Sequence, residues 1–182
     1  MKIWKLELDY DKYDNLTPVV KWSREVTRSF DGRKKLATWE PIEVERLEPE
    51  KGLDLADNMW LSTPVPAFSD KAKQFVEGLL GDTVEFLPTI SKEGIFWLVN
   101  VTTVLDCVDY EKSEIVRFQS SGRIMDIPRF VFREDVVKEV DMFKTKDLPL
   151  RFPCVSDRFK ELVESSDLTG FGFRLLWDSE VE

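Results

Sequence analysis

The chain contains no histidine. That absence removes Ser-His-Asp and Cys-His nucleophile arrangements, and with them the commonest transition-metal ligand. Glycine is scarce, eight in 182 residues, and neither G-x-x-x-x-G-K-[ST] nor G-x-G-x-x-G occurs, which excludes both common glycine-rich phosphate cradles. The two cysteines, Cys107 and Cys154, sit in apolar, strand-like contexts. They form neither a disulfide framework nor a zinc motif and are expected as buried free thiols. No apolar run approaches the roughly 18 residues that span a bilayer. The opening stretch Met1-Lys2-Ile3-Trp4-Lys5-Leu6-Glu7 lacks the apolar core of a signal peptide. These absences predict a soluble protein of a reducing, cytoplasmic compartment, with no cofactor and no membrane contact.

What is present is acid and aromatic surface. Thirty-five Asp and Glu face 26 Lys and Arg, a net charge of −9, and 12% of residues are aromatic, including six Trp and thirteen Phe. Such a chain can build a sizeable core, while its charge repels phosphate backbones and disfavours nucleic acid as a partner. The acids concentrate locally. Residues 40–57 carry seven of them (Glu40, Glu43, Glu45, Glu48, Glu50, Asp54, Asp57) against Arg46 and Lys51. With Pro41, Pro49 and Gly52 interspersed, this stretch reads as exposed loop around an edge strand at Ile42–Arg46 with one charged face.

The most organised signal is an internal echo. Residues 66–77, PAFSDKAKQFVE, align without a gap to residues 153–164, PCVSDRFKELVE, and Phe86 and Phe173 keep the same offset of 87. Each copy predicts a strand, a serine helix cap, a short helix over 70–80 or 157–164, and a further strand. The first helix is expected to bury Ala72, Phe75, Val76 and Leu79, the second Phe159, Leu162 and Val163. The sequence leaves open a true duplication or two independent uses of a capped helix. Elsewhere Lys2–Asp9 alternates as a half-buried strand with Trp4, Leu6 and Leu8 inward. Gly94–Leu105 reads as one strand covered on both faces, and Arg129–Arg133 as a strand with Phe130 and Phe132 on one face. Asp135–Phe143 reads as a short helix or insertion. Arg33-Lys34-Lys35 follows a turn at Asp31-Gly32 and reads as a solvated hairpin tip. Without regular βαβ alternation the fold class is α+β, with mixed, mostly antiparallel sheets and a few short helices. Residues 1–60 read as an N-terminal β-rich segment and 61–182 as an α+β core holding the two capped-helix units.

For chemistry, carboxylates remain. Asp106, Asp109 and Glu111 form the densest cluster beside an apolar strand and could supply an acid and base for hydrolysis; the same residues equally suit a solvated strand-end turn. No calcium-loop spacing occurs. Among Trp22, Trp39 and Trp60, an exposed indole would anchor an interface, whereas buried indoles would pack the core. A surface combining Trp39, Glu43, Glu45 and Glu48 with Asp106, Asp109 and Glu111 is the expected contact region for a protein partner of basic surface. A structural or adaptor protein would show the same lack of catalytic groups.

Four stretches, in order and spacing, resemble immunity proteins of bacterial polymorphic toxin systems, immunity family eleven. They are Pro66–Lys73 leading to Val84–Pro88, Phe96–Val101 leading to Leu105–Ser113, Arg129–Arg133, and Cys154–Asp157 through Leu168–Phe173. The resemblance covers roughly residues 60–177. It implies a non-catalytic inhibitory protein that binds a cognate toxin in the cytoplasm.

Overall fold

Two serines start the two principal helices. Ser69 accepts a hydrogen bond from the Ala72 amide (3.1 Å) and Ser156 from the Phe159 amide (3.2 Å), so each satisfies one of the donors a helix N-terminus leaves unpaired. The computed structural model describes residues 1–9, 11–61 and 64–181. Its helices are α1 (Arg24–Arg28), α2 (Asp70–Leu80), α3 (Glu134–Val137) and α4 (Asp157–Glu164). Its strands are β1 (Lys2–Glu7), β2 (Tyr13–Asp14), β3 (Leu16–Pro18), β4 (Ile42–Arg46), β5 (Asp54–Leu55), β6 (Asn58–Trp60), β7 (Pro66–Ser69) and β8 (Val84–Ile90). They continue with β9 (Phe96–Val101), β10 (Val104–Leu105), β11 (Glu114–Arg117), β12 (Ile124–Arg129), β13 (Met142–Thr145), β14 (Cys154–Ser156) and β15 (Gly172–Asp178).

The fold is α+β. A six-stranded sheet runs β3-β4-β8-β9-β7-β6 and a five-stranded sheet β10-β13-β14-β1-β15, beside the hairpin β11-β12 and the short pair β2-β5. Pairing is antiparallel except at β4·β8, β10·β13 and β2·β5. From residues 1–60, β1 pairs with β14 and β15, β4 with β8, and β6 with β7. Among the described residues no helix is long and apolar enough to cross a membrane.

The two echo units are structurally equivalent beyond the aligned segment. Ser69 and Ser156 each also donate to an aspartate, Asp57 (2.6 Å) and Asp141 (2.5 Å), which precedes the neighbouring strand, β6 or β13. Asp70 and Asp157, one residue on, accept from Trp97 Nε1 (3.0 Å) and Trp4 Nε1 (2.8 Å). Lys73 lies over the Phe86 and Trp97 rings, and Lys160 over those of Phe173 and Trp4. Each lysine pairs with the glutamate four residues on, Glu77 or Glu164. Registers correspond too: Phe68 opposes Trp97 as Val155 opposes Trp4, and Phe86 opposes Val99 as Phe173 opposes Leu6. The closing strand follows its helix in the first unit (β9), but comes from the start of the chain in the second (β1). The two units are therefore alike in structure but permuted in chain order, which is why only their middle is visible as an aligned segment.

The helices α2 and α4 touch each other over one core containing Phe68, Val76, Val99, Leu6, Phe159 and Val163. This contact selects the line Ala72–Val76–Leu80 for burial, so Phe75, expected inward, is 43% exposed. β1 is covered on both sides, not half-buried: Leu6 lies in the helix-side core, and Ile3, after a register shift between Ile3 and Trp4, in a third core with Phe132 and Phe143. The expected single strand over 94–105 divides at Thr102-Thr103, β9 staying in the six-stranded sheet and β10 crossing to the five-stranded one. The strand expected at 129–133 ends earlier, with β12; the Phe130 and Phe132 rings nonetheless stack on one side, centroids 5.2 Å apart. Asp135–Phe143 begins as part of the short α3, and then enters β13.

A second core, on the other side of the six-stranded sheet, holds Leu16, Phe30, Val44, Met59 and Leu87. The irregular stretch 20–40 is fastened over it. Trp22 stacks on Phe30 at 5.4 Å, the buried Lys144 of β13 donates to the Phe30 carbonyl (2.6 Å), and the Lys35 amide donates to Glu85 (2.6 Å). Arg33-Lys34-Lys35 is thus pinned chain and not a hairpin tip. Gly170 (φ +78°) brings the loop before β15 against β6, where a Cβ would stand 2.4 Å from Ala56 Cβ and 2.6 Å from the Asn58 carbonyl oxygen.

Candidate functional site

β4 alternates because its side chains alternate between faces. Ile42 and Val44 point to the second core, while Glu43 and Glu45 point out. β4 is flanked by β3 and β8, so it is an interior strand, and the edge expected at 42–46 belongs to β3. Directly opposed residues share a face: Glu45 opposes Thr17, Glu43 opposes Ile90, and the Val19 amide donates to the Glu43 carbonyl (3.0 Å). The helix α2 rests on β7 and β9, leaving this end of the sheet open. Val19 and Ile90 are 45% and 57% exposed beside the two glutamates, which make no ion pair among the described residues. Glu48 lies past the end of β4 and pairs with Lys51 (2.8 Å). Trp39 is half-buried; its Nε1 donates to the Pro88 carbonyl (2.9 Å) and its ring meets Phe30 edge-on at 6.2 Å. Glu43 and Glu45 are therefore brought together, and Trp39 mainly packs the core behind them.

The other three expected residues lie beside the five-stranded sheet. Asp106 is ion-paired to Lys146 (3.1 Å) and Arg133 (3.4 Å). Asp109 Oδ1 accepts from the amides of Glu111 (3.0 Å) and Lys112 (3.2 Å), an aspartate turn. Glu111 is exposed. Asp106 and Asp109 are spent on different neighbours while Glu111 faces solvent, and their arrangement is that of a strand-end turn rather than a converging acid–base pair. Tyr110, between them, donates to Asp147 (2.6 Å), and this bond to a carboxylate pushes its hydroxyl up to about 12. Among the described residues no group of three or more metal-ligating side chains forms. Both cysteines are free and buried; burial pushes the Cys107 thiol up to about 12 and raises Cys154 as well, the reverse of a reactive thiolate.

Asp109 and Glu111 border a cleft of about 820 Å³ that runs along β15. Its floor includes Phe130 and Phe132, and Trp177 meets Phe132 at 5.9 Å. Glu134 and Asp135, at the start of α3, and Leu175 also line it, together with the basic Lys112, Arg129 and Arg133. Nothing local marks these residues as one surface: the segment before α3 and the last strand are distant in sequence, and only β1, which positions β15, brings them together. Val19 and Ile90 were equally invisible beside Glu43, since exposure of a lone apolar residue is decided by what fails to cover it.

No curated protein matches the chain. The family model described as "Immunity protein family (Imm11)" matches residues 12–177, from the turn before β2 to Trp177 in β15. With the whole six-stranded sheet, both capped helices and every strand of the five-stranded sheet except β1 inside that match, the chain belongs to the Imm11 immunity protein family.

Proposed function

We propose that the protein neutralises a protein toxin of a bacterial polymorphic system by direct binding in the cytoplasm, using the open β3–β4–β8 face as an acidic contact surface and catalysing no reaction. The observation that carries this reading is the pair Glu43 and Glu45, outward and unpaired among the described residues, set beside the exposed Val19 and Ile90. Unpaired acids around an apolar patch attract a basic protein surface, speed encounter and set orientation, while apolar contact supplies affinity. The absence of histidine, and the separate engagement of Asp106 by Lys146 and of Asp109 by its own turn, agree with binding as the mode of action.

The test is co-expression with the toxin encoded beside the gene. The wild-type chain should restore growth and co-elute with the toxin. Glu43→Lys combined with Glu45→Lys should slow association by about tenfold or more and flatten its salt dependence. Unchanged association and salt dependence in the double variant would remove this face from the interface. Absence of rescue together with absence of a complex would remove that toxin as the partner.

A further inference from the structure

The cleft along β15 joins three features that belong to no contact described so far. β15 is the longest sheet edge, seven residues with β1 on one side and, among the described residues, no hydrogen-bonded strand on the other. In an antiparallel pair alternate backbone N–H and C=O groups face away from the partner strand, so one side of β15 presents an unfilled ladder. The other edges are guarded or short: β3 has three residues and ends in Pro18, β6 has three and β10 two. β15 has no proline or lysine, its Arg174 is drawn to Glu7 (3.0 Å), and Leu175 is 46% exposed. An edge of that length without proline or lysine, interrupted by one register shift at Leu176, is a template for another strand.

The second feature is the apolar floor beside the edge, formed by the stacked Phe130 and Phe132 with Trp177. The third is the charge of the rim. Its basic side chains are Lys112, Arg133, which pairs with Asp106, and Arg129, which donates to the Lys112 carbonyl (2.6 Å). Glu111, Glu134 and Asp135 have no ion-pair partner among the described residues. Five acids against three basic side chains leave the cleft lining net negative.

We propose that β15 receives an extended, lysine- or arginine-rich segment of the protein partner, which adds as a sixth strand to the five-stranded sheet. Backbone hydrogen bonds hold the segment, alternate apolar side chains enter over Phe130 and Trp177, and its cations meet Glu134, Asp135 and Glu111. This docking mode rests on the reading of the chain as a toxin-binding protein, but it occupies a different sheet from the β3–β4–β8 face and is separately testable.

The probe is a capped nine-residue peptide of alternating lysine and valine, with a glutamate-for-lysine peptide and a lysine–valine peptide carrying a central proline as controls. Binding should slow amide hydrogen exchange within Arg174–Asp178, on either side of the register shift at Leu176, and leave β3 and β4 unprotected. Glu134→Gln with Asp135→Gln should weaken the lysine–valine peptide by roughly threefold to tenfold at low salt, and Leu175→Lys by about tenfold or more. Neither control peptide should bind. Protection elsewhere, no protection, or equal binding of the proline peptide overturns the proposal. A wild-type dimer on sedimentation that Leu175→Lys dissociates also overturns it, assigning the edge to a second copy of the chain. Against the neighbouring-gene toxin, rescue that survives Leu175→Lys at unchanged affinity overturns the β15 mode and leaves the neutralising function standing. If the wild type neither rescues nor forms a complex, that toxin falls as the partner and the peptide result alone decides the edge.

Discussion

Lys144 offers a quantitative test of how the stretch 20–40 is fastened to β13. Its side chain is buried on β13, and its Nζ donates to the Phe30 carbonyl at 2.6 Å without a carboxylate in direct contact. Burial lowers the ammonium from 10.5 to about 8, offset in part by the charge of Asp31. Between pH 8 and 10.5 the unfolded chain holds a proton at this lysine that the folded chain has released. The unfolded state then binds more protons, so this group makes stability rise with pH across that window. At about 1.4 kcal/mol per decade the full change is about 3 kcal/mol. Lys144→Met keeps the length of the side chain and removes the titration. At pH 7 the variant is relieved of the buried charge but leaves the Phe30 carbonyl unpaired, a cost of about 1–3 kcal/mol; it should be as stable as the wild type or up to about 2 kcal/mol more so. Above pH 10.5 only the lost hydrogen bond remains, and the variant should be the less stable protein by about 1–3 kcal/mol. Urea unfolding followed by tryptophan fluorescence from pH 6.5 to 11 gives both curves, and groups common to both proteins cancel in the difference. Parallel curves for wild type and variant would refute the buried, depressed lysine.

The equivalent caps should not be equal in energy. Ser69→Ala should cost about 1 kcal/mol, whereas Ser156→Ala should cost about 2 kcal/mol, because the aspartate it deprives of a hydrogen bond, Asp141, is buried while Asp57 is only half-buried; equal losses in urea unfolding would contradict the added cost of the buried Asp141. Gly170→Ala combines a left-handed φ with a Cβ against Ala56 and the Asn58 carbonyl, and should lose roughly 3 kcal/mol by the same measure. Gly52→Ala, also left-handed but with open space around its Cβ, should lose only about 1 kcal/mol and serves as the control.

Local chemistry made much of this fold legible. The bounds of α2 and α4 follow from Ser-Asp caps and apolar spacing, which act within one turn, and β9 follows from an unbroken apolar run. The errors came where a distant contact overrode the local pattern. Phe75 suits the helix stripe, but the approach of α4 turned that stripe by one step. β13 was hidden because its Lys144 reads as solvent-facing until a carbonyl 114 residues away is placed over it. The strand β4 reads as an edge from its acids, yet two neighbours pair with it and only its outer face meets solvent.

The sequence by itself determined the chemical character of the protein: no imidazole, no phosphate-binding loop, thiols in apolar settings, and an excess of acid concentrated over 40–57. It also determined the two capped helices, since caps and periodicity are short-range. Only the tertiary structure decided that β1 completes the second unit in the place β9 takes in the first, because strand pairing is a choice among partners remote in sequence. That choice sets β15 at a sheet edge beside Phe130 and Phe132 and leaves Glu43 and Glu45 on an uncovered face. Which surfaces are available to a partner is a property of what the folded chain does not cover, and no residue carries that information locally.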